Sequence, residues 1–377
     1  MKIQPFEIEL EIPSKSRGKG GMSMLGPRSF RSVLTAVTGT MLLLLVCGTA
    51  QSQDLNVRPS EYDRNAASEA QNVKYHARPA NTPVGRAARP SALSNMHSDN
   101  PGEGDESSEV TRYPGDLQYH GGNVVRTVEQ HLIYVNLGSS PSCSTIATCW
   151  GNPHEFLDDL GKSDFIHVAD QYVGRTEDDR YRVSDRRIFV TYPTTTKPLT
   201  DTDMQVIVHA VATFLHGAPT GYDNLYHIFL VPGQDECFDS TFTQCYSPDI
   251  PATFFYCAYH SSVDFKDIGH VLYSVEPFQD NSGCSSKPGT PNGQLTDSTN
   301  NVLSHETFET ISDPDGTAWW NSLDNGLYGQ EIGDECSFLY FTPTLVFFDP
   351  ANVTLNGKSY VAQPEYNNGD HACTTAP

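Results

Sequence analysis

The feature that most constrains the fold of this chain is an alternation of strand-length apolar runs with segments of helical period between residues 131 and 275. Residues 131–137, 187–192 and 225–231 are dominated by Leu, Ile, Val, Phe and Tyr and read as buried strands. Residues 153–173 read as a helix, and residues 200–215 more clearly so. There Thr200 or Asp201 can cap the first turn, Met204, Ile207, Val208, Val211, Phe214 and Leu215 form an apolar stripe, and Gly217 ends it. Two further strands are expected at 253–260 and 270–275, followed by a Gly/Ser/Pro/Asn-rich loop at 280–293 and a helix around His305. The end of the chain reads as β-rich, with a strand over 338–348 and a hairpin whose Asn356-Gly357 pair suits a type I′ turn. The expected class is α+β or mixed α/β.

The helix around His305 holds the chemistry. It reads Ser304-His305-Glu306-Thr307-Phe308-Glu309, an HExxE string where zinc peptidases of the zincin type have HExxH. Residues four apart share a helix face, so His305 and Glu309 can hold one ion with Glu306 beside it as the base. A catalytic zinc takes three protein ligands and a water, and a neighbouring carboxylate removes the water's proton. Spacing leaves the third ligand open among Asp313, Asp315, Glu331 and Asp334; Pro314 is expected to end the helix. Exchanging the second His for Glu makes the ion less positive and its water less acidic. The order of strands, loop and metal-type helix predicts a single zincin-like domain. Zinc is the expected ion, and calcium is the alternative if carboxylates alone form the site.

The chain opens with an address. Lys15, Arg17, Lys19, Arg28 and Arg31 precede an apolar stretch over 33–46, and Gly48 and Ala50 supply a cleavage-type ending. Residues 1–52 are therefore expected to be a signal peptide. Their apolar core falls short of the roughly 20 residues of a membrane span, so no stable span is expected after cleavage. Residues 53–112 hold isolated apolar positions among Asn, Ser, Pro, Arg and Glu, and read as a disordered linker or pro-segment. Residues 113–377 form the expected domain.

Cysteines and charge agree with export. Without Cys47, eight cysteines remain at 143, 149, 237, 245, 257, 284, 336 and 373, compatible with four disulfides; Cys143/Cys149 and Cys237/Cys245 are close enough to staple local loops. The whole chain carries −22. Its first 52 residues hold six Lys/Arg and three Asp/Glu, so the remainder carries 18 basic and 43 acidic residues, net −25. Nucleic acid and anionic lipid are poor partners for such a surface, and no nucleic-acid partner is expected.

Other strings weigh less. His154-Glu155-Phe156-Leu157-Asp158 resembles the His305 motif but has no acidic cluster close behind it. His260 is more often a satisfied structural histidine than a ligand, although a strand end could aim it at the same cleft. Tyr119-His120-Gly121-Gly122 reads as a turn with close backbone packing. No G-x-S-x-G elbow is present for a serine hydrolase.

Taken together, Tyr119-His120-Gly121-Gly122, Cys257-Ala258-Tyr259-His260-Ser261, the run from Ser304-His305-Glu306 to Asp313-Pro314, Trp319-Trp320, Glu331-Ile332-Gly333-Asp334 and Gln363-Pro364-Glu365-Tyr366 resemble the secreted phosphate-induced or EXORDIUM-like proteins. The microbial members are the most similar. The resemblance implies an exported, surface- or wall-associated protein without a settled reaction. The expected function is a secreted metal-dependent hydrolase acting on a peptide or an extracellular polymer, working as a monomer. The alternative is a non-catalytic extracellular module whose carboxylates bind calcium or brace the core.

Overall fold

A computed structural model describes residues 53–87, 115–174, 177–193, 197–215, 220–323, 327–339 and 351–377. Its centre is a seven-stranded mixed sheet. The strands are β1 (Asp54–Val57), β2 (Gln71–Pro79), β3 (Val128–Val135), β4 (Tyr181–Val190), β5 (Asn224–Phe229), β6 (Tyr256–Phe265) and β7 (Gly269–Glu276). They lie in the order β1-β4-β3-β5-β7-β6-β2. The first five are parallel to their neighbours; β6 and β2 run antiparallel at the far edge. The class is mixed α/β.

Period two along the strands sorts side chains to two cores. Ile133 and Val135 of β3 join Ile188, Ile228, Tyr259 and Tyr273 on one face, beneath helix α3 (Asp201–Phe214), whose Met204, Ile207, Val208 and Val211 are buried there. Leu132 and Tyr134 point the other way, to Leu225, Phe229 and Leu272, and meet Trp150, Phe156, Leu303 and Phe308. The α3 helix begins where the sequence places it. Thr200 and Asp203 form its capping box, with Thr200 N–H donating to Asp203 Oδ2 at 2.8 Å.

Residues 53–87 correct the expectation of a disordered linker. β1 adds parallel to β4 at one edge of the sheet, and β2 adds antiparallel to β6 at the other. Between them α1 (Glu61–Ser68) packs on α3. The apolar positions are isolated in sequence because a strand needs them only at alternate residues: Val73, Tyr75 and Ala77 face the α3 core, while His76 and Arg78 face the opposite side. Residues 88–114 and the proposed signal segment lie outside the described residues. Gln51–Pro377 belong to one compact unit.

Two other expectations change. The helix foreseen over 153–173 stops at Gly161 as α2 (Pro153–Gly161), and a separate 3₁₀ turn takes Asp164–Ala169. A Cβ at Gly161 would stand 2.4 Å from the Tyr181 carbonyl oxygen, so the helix and β4 touch there backbone to backbone. Phe338, foreseen in a strand, lies in helix α5 (Ile332–Leu339); residues 340–350 are outside the described residues. The C-terminal hairpin forms as expected from β8 (Ala351–Leu355) and β9 (Lys358–Ala362), with Asn356 and Gly357 at φ 47° and 80°.

All eight remaining cysteines pair, as Cys143–Cys149, Cys237–Cys245, Cys257–Cys284 and Cys336–Cys373. Four disulfides fit an oxidising compartment. Among the described residues no helix is long and apolar enough to cross a membrane.

Candidate metal centre

The site is built on α4 (Gln294–Ser312), which lies on the sheet face opposite α3 and crosses β6, β7 and β2. This helix is polar in sequence, yet every residue from Asp297 to Ser312 is buried. A buried hydroxyl without a partner costs about 1–3 kcal/mol. Ser298, Thr299, Thr307, Thr310 and Ser312 avoid this by donating to the carbonyl four residues back, at 2.5 to 3.1 Å. These five hydroxyls are thereby satisfied within the helix, whereas Ser304 Oγ is buried without a partner. The charged groups His305, Glu306 and Glu309 are left to find partners across its surface.

They face a row of polar side chains on the sheet. In register, His76 of β2 pairs with His260 of β6, His260 with Ser274 of β7, and Ser274 with His227 of β5. His76 and His260 stack at 5.9 Å between ring centroids. The third wall is α5 and the turn before it, which supply Glu331 and Asp334. His305, Glu306, Glu309, Glu331, His76 and His260 are 0% exposed and Asp334 is 1%, so the cluster is closed to bulk solvent.

The distances within it are short. His305 Nε2 lies 3.1 Å from Glu309 Oε1 and 3.8 Å from Asp334 Oδ1. His260 Nδ1 lies 3.5 Å from Glu306 Oε2 and 3.6 Å from Glu309 Oε2; its Nε2 lies 3.7 Å from Glu331 Oε2. His76 Nε2 contacts Asp334 directly, and Nδ1 lies 3.3 Å from Glu331 Oε1. Three sets of potential ligand atoms close to within 4.8 Å: His76, Glu309 and Asp334; His260, Glu309 and Glu331; and His305, Glu306 and Glu309. Neither ring nitrogen of His260 and neither carboxylate oxygen of Glu306 has a hydrogen-bond partner.

Supporting groups fix the ligands. The Glu309 carboxylate accepts the Asp334 N–H at 3.2 Å. Gln363 sets its Nε2 3.1 Å from His305 Nδ1 and also bonds the Gly333 carbonyl, while its Oε1 accepts from Ser337 Oγ at 2.8 Å. Arg78 is buried beside Glu306 and Glu365; burial lowers its pKa and those two carboxylates oppose the fall. Burial, then the charge of Glu309, raises Glu306 well above the usual carboxylate range. Burial, then Asp313, does the same to Glu331. Burial also opposes ionisation of Glu309, but the adjacent His305 and His260 hold it well below that range. On His76, burial acts to depress the imidazole, and Asp334 outweighs it and raises the pKa.

The residues expected from sequence divide. His305, Glu306, Glu309, Glu331 and Asp334 converge. Asp313, at the end of α4, borders the cluster: its Oδ1 accepts the N–H groups of Thr317 and Ala318 at 2.7 Å each, while its charge acts on Glu331 and His76. Asp315 is carried away where the helix ends before Pro314: it bonds Tyr222 Oη and lies 3.2 Å from His270 Nε2. It is not part of the cluster. The look-alike string at His154 is on the surface, with Glu155 and Asp158 paired to Lys358 and Lys162. His120 stacks on Trp320 at 3.7 Å in the expected turn, where a Cβ at Gly122 would stand 2.4 Å from the Thr317 carbonyl group. His76 was not found from sequence, although its alternation with Tyr75 and Ala77 is a strand signal. His260 reaches the cluster from the middle of β6, not from a strand end.

Compared with protein-family models, with curated proteins and with solved structures, the chain matches none.

Proposed function

We propose that this chain is a secreted, zinc-class metalloprotein, zincin-like in the placing of its metal helix against a mixed sheet and related to the EXORDIUM-like proteins. The observation that carries the reading is the convergence of three imidazoles and four carboxylates, closed to bulk solvent, with His260 and Glu306 lacking hydrogen-bond partners. Buried carboxylates stay ionised only where cations offset them, as Arg78 does in part for Glu306, and otherwise take up protons; a bound metal ion would hold this set ionised. Imidazole nitrogens favour a zinc-like ion over calcium, which takes oxygen ligands. His305, Glu309 and Asp334 would hold the ion. A bound ion of this kind supplies Lewis acidity and an acidified water. Glu306, kept protonatable by its burial, is the group placed to hold and pass a proton in hydrolysis of a peptide or an extracellular polymer.

A second reading is favoured by one observation: the ligands are 0–1% exposed, so the shell is closed as in a structural metal site. Metal analysis of the purified chain, with Glu306→Gln beside the wild type in peptidase assays, separates the two. Metal in both and turnover only in the wild type supports the hydrolase. Metal without turnover in either supports the structural centre, and absence of metal from both removes the proposal.

A further inference from the structure

One ion does not use this cluster. A single zinc takes three or four protein ligands, whereas seven side chains converge, and Glu309 belongs to all three ligand sets. Its two oxygens face different ways. Oε1 lies 3.1 Å from His305 Nε2, beside Asp334, and Oε2 lies 3.6 Å from His260 Nδ1. His76 meets Asp334 on the first side, and Glu331 lies 3.7 Å from the other ring nitrogen of His260.

We infer that the centre is dinuclear, with two divalent zinc-class cations bridged by the Glu309 carboxylate. The first would be held by His76 and Asp334, with His305 3.8 Å from Asp334, and the second by His260 and Glu331, while Glu306 lies within reach of both His305 and His260. This rests on the metal-binding reading above. The fully buried His260 brings its two ring nitrogens to within 3.5–3.7 Å of Glu306, Glu309 and Glu331, on the side of Glu309 away from His305. All cysteines near the centre are oxidised, so thiolate ligation does not compete. Two ions sharing a carboxylate suit hydrolytic chemistry, in which attacking and leaving oxygens are each stabilised.

The test is a Co²⁺ titration of the purified, chelator-stripped protein, read by visible absorption, native mass and electron paramagnetic resonance. The expected result is saturation at two equivalents, with a high-spin signal at one equivalent that weakens through exchange coupling at two. His260→Ala should bind one equivalent. Saturation of the wild type at one equivalent overturns the dinuclear inference and leaves the metal reading standing; no binding removes both. Two uncoupled equivalents, or two that persist in His260→Ala, overturn the bridge. Should His260→Ala not fold, the wild-type stoichiometry and coupling decide alone.

Discussion

Gly333 lies against Nδ1 and Cε1 of the His305 imidazole: a Cβ there would stand 2.4 Å from Nδ1 and 3.1 Å from Glu309 Oε1. Helix propensity favours alanine over glycine inside α5, but this contact reverses the sign. Gly333→Ala should destabilise the fold by about 1–3 kcal/mol, in the range of core overpacking. It should also weaken metal retention, because His305 and Glu309 both have to move. Thermal melting with and without chelator checks this; a variant as stable as the wild type in both conditions would show that the packing is looser than described.

Gln363 is the outer support of the His305 ring. Groups that orient a metal-binding imidazole typically contribute about 10–100-fold to affinity. Gln363→Leu, similar in volume, should lower Zn²⁺ affinity by that factor in competition with a chromogenic chelator. The metal-free protein should lose less, and the comparison of metal-free melts isolates the ligand effect.

Asp159 fastens the C-terminal hairpin to α2. It accepts from Tyr360 Oη at 2.5 Å, Lys358 Nζ at 2.9 Å and Asn356 Nδ2 at 2.9 Å. Burial opposes its charge, but these three donors prevail and lower its pKa from 3.8. Its ionised form is therefore favoured in the fold. The resulting stability is complete above pH 3.8 and disappears as pH falls through the lower folded value. Asp159→Asn should cost about 1.5–3 kcal/mol at neutral pH, the scale of a hydrogen bond to a charged group. Denaturation curves across pH should show the deficit closing below 3.8.

The Cys336–Cys373 bridge, spanning 37 residues, ties α5 to the end of the chain two positions after Asp334. Replacing both cysteines with alanine should cost about 2–5 kcal/mol. Because α5 carries Asp334, the variant should also release metal faster. Unchanged metal release with reduced melting temperature would separate the bridge from the site.

Local chemistry was readable where it is local. The HExxE helix, its stop before Pro314, a cap at Thr200 or Asp201 and the Asn356-Gly357 turn each follow from residues a few positions apart, and the structure chooses Thr200, paired with Asp203. The acidic pair Glu331 and Asp334 was found as a cluster. Asp315 was not separable from it, since spacing along the chain does not say that the backbone turns this side chain towards Tyr222 and His270.

The sequence by itself determined a domain of helices and strands, α+β or mixed α/β, eight cysteines able to pair, and a helix with a histidine and two glutamates on neighbouring faces. Only the tertiary structure decided that His76 and His260 meet them. Their approach depends on the register of β2 against β6 and on α4 crossing both strands, and long-range strand pairing leaves no period in the chain to read. The segment that brings His76 looked disordered because its apolar residues are sparse. They are sparse because the strand shows one face to a hydrophobic core and the other to a buried polar centre.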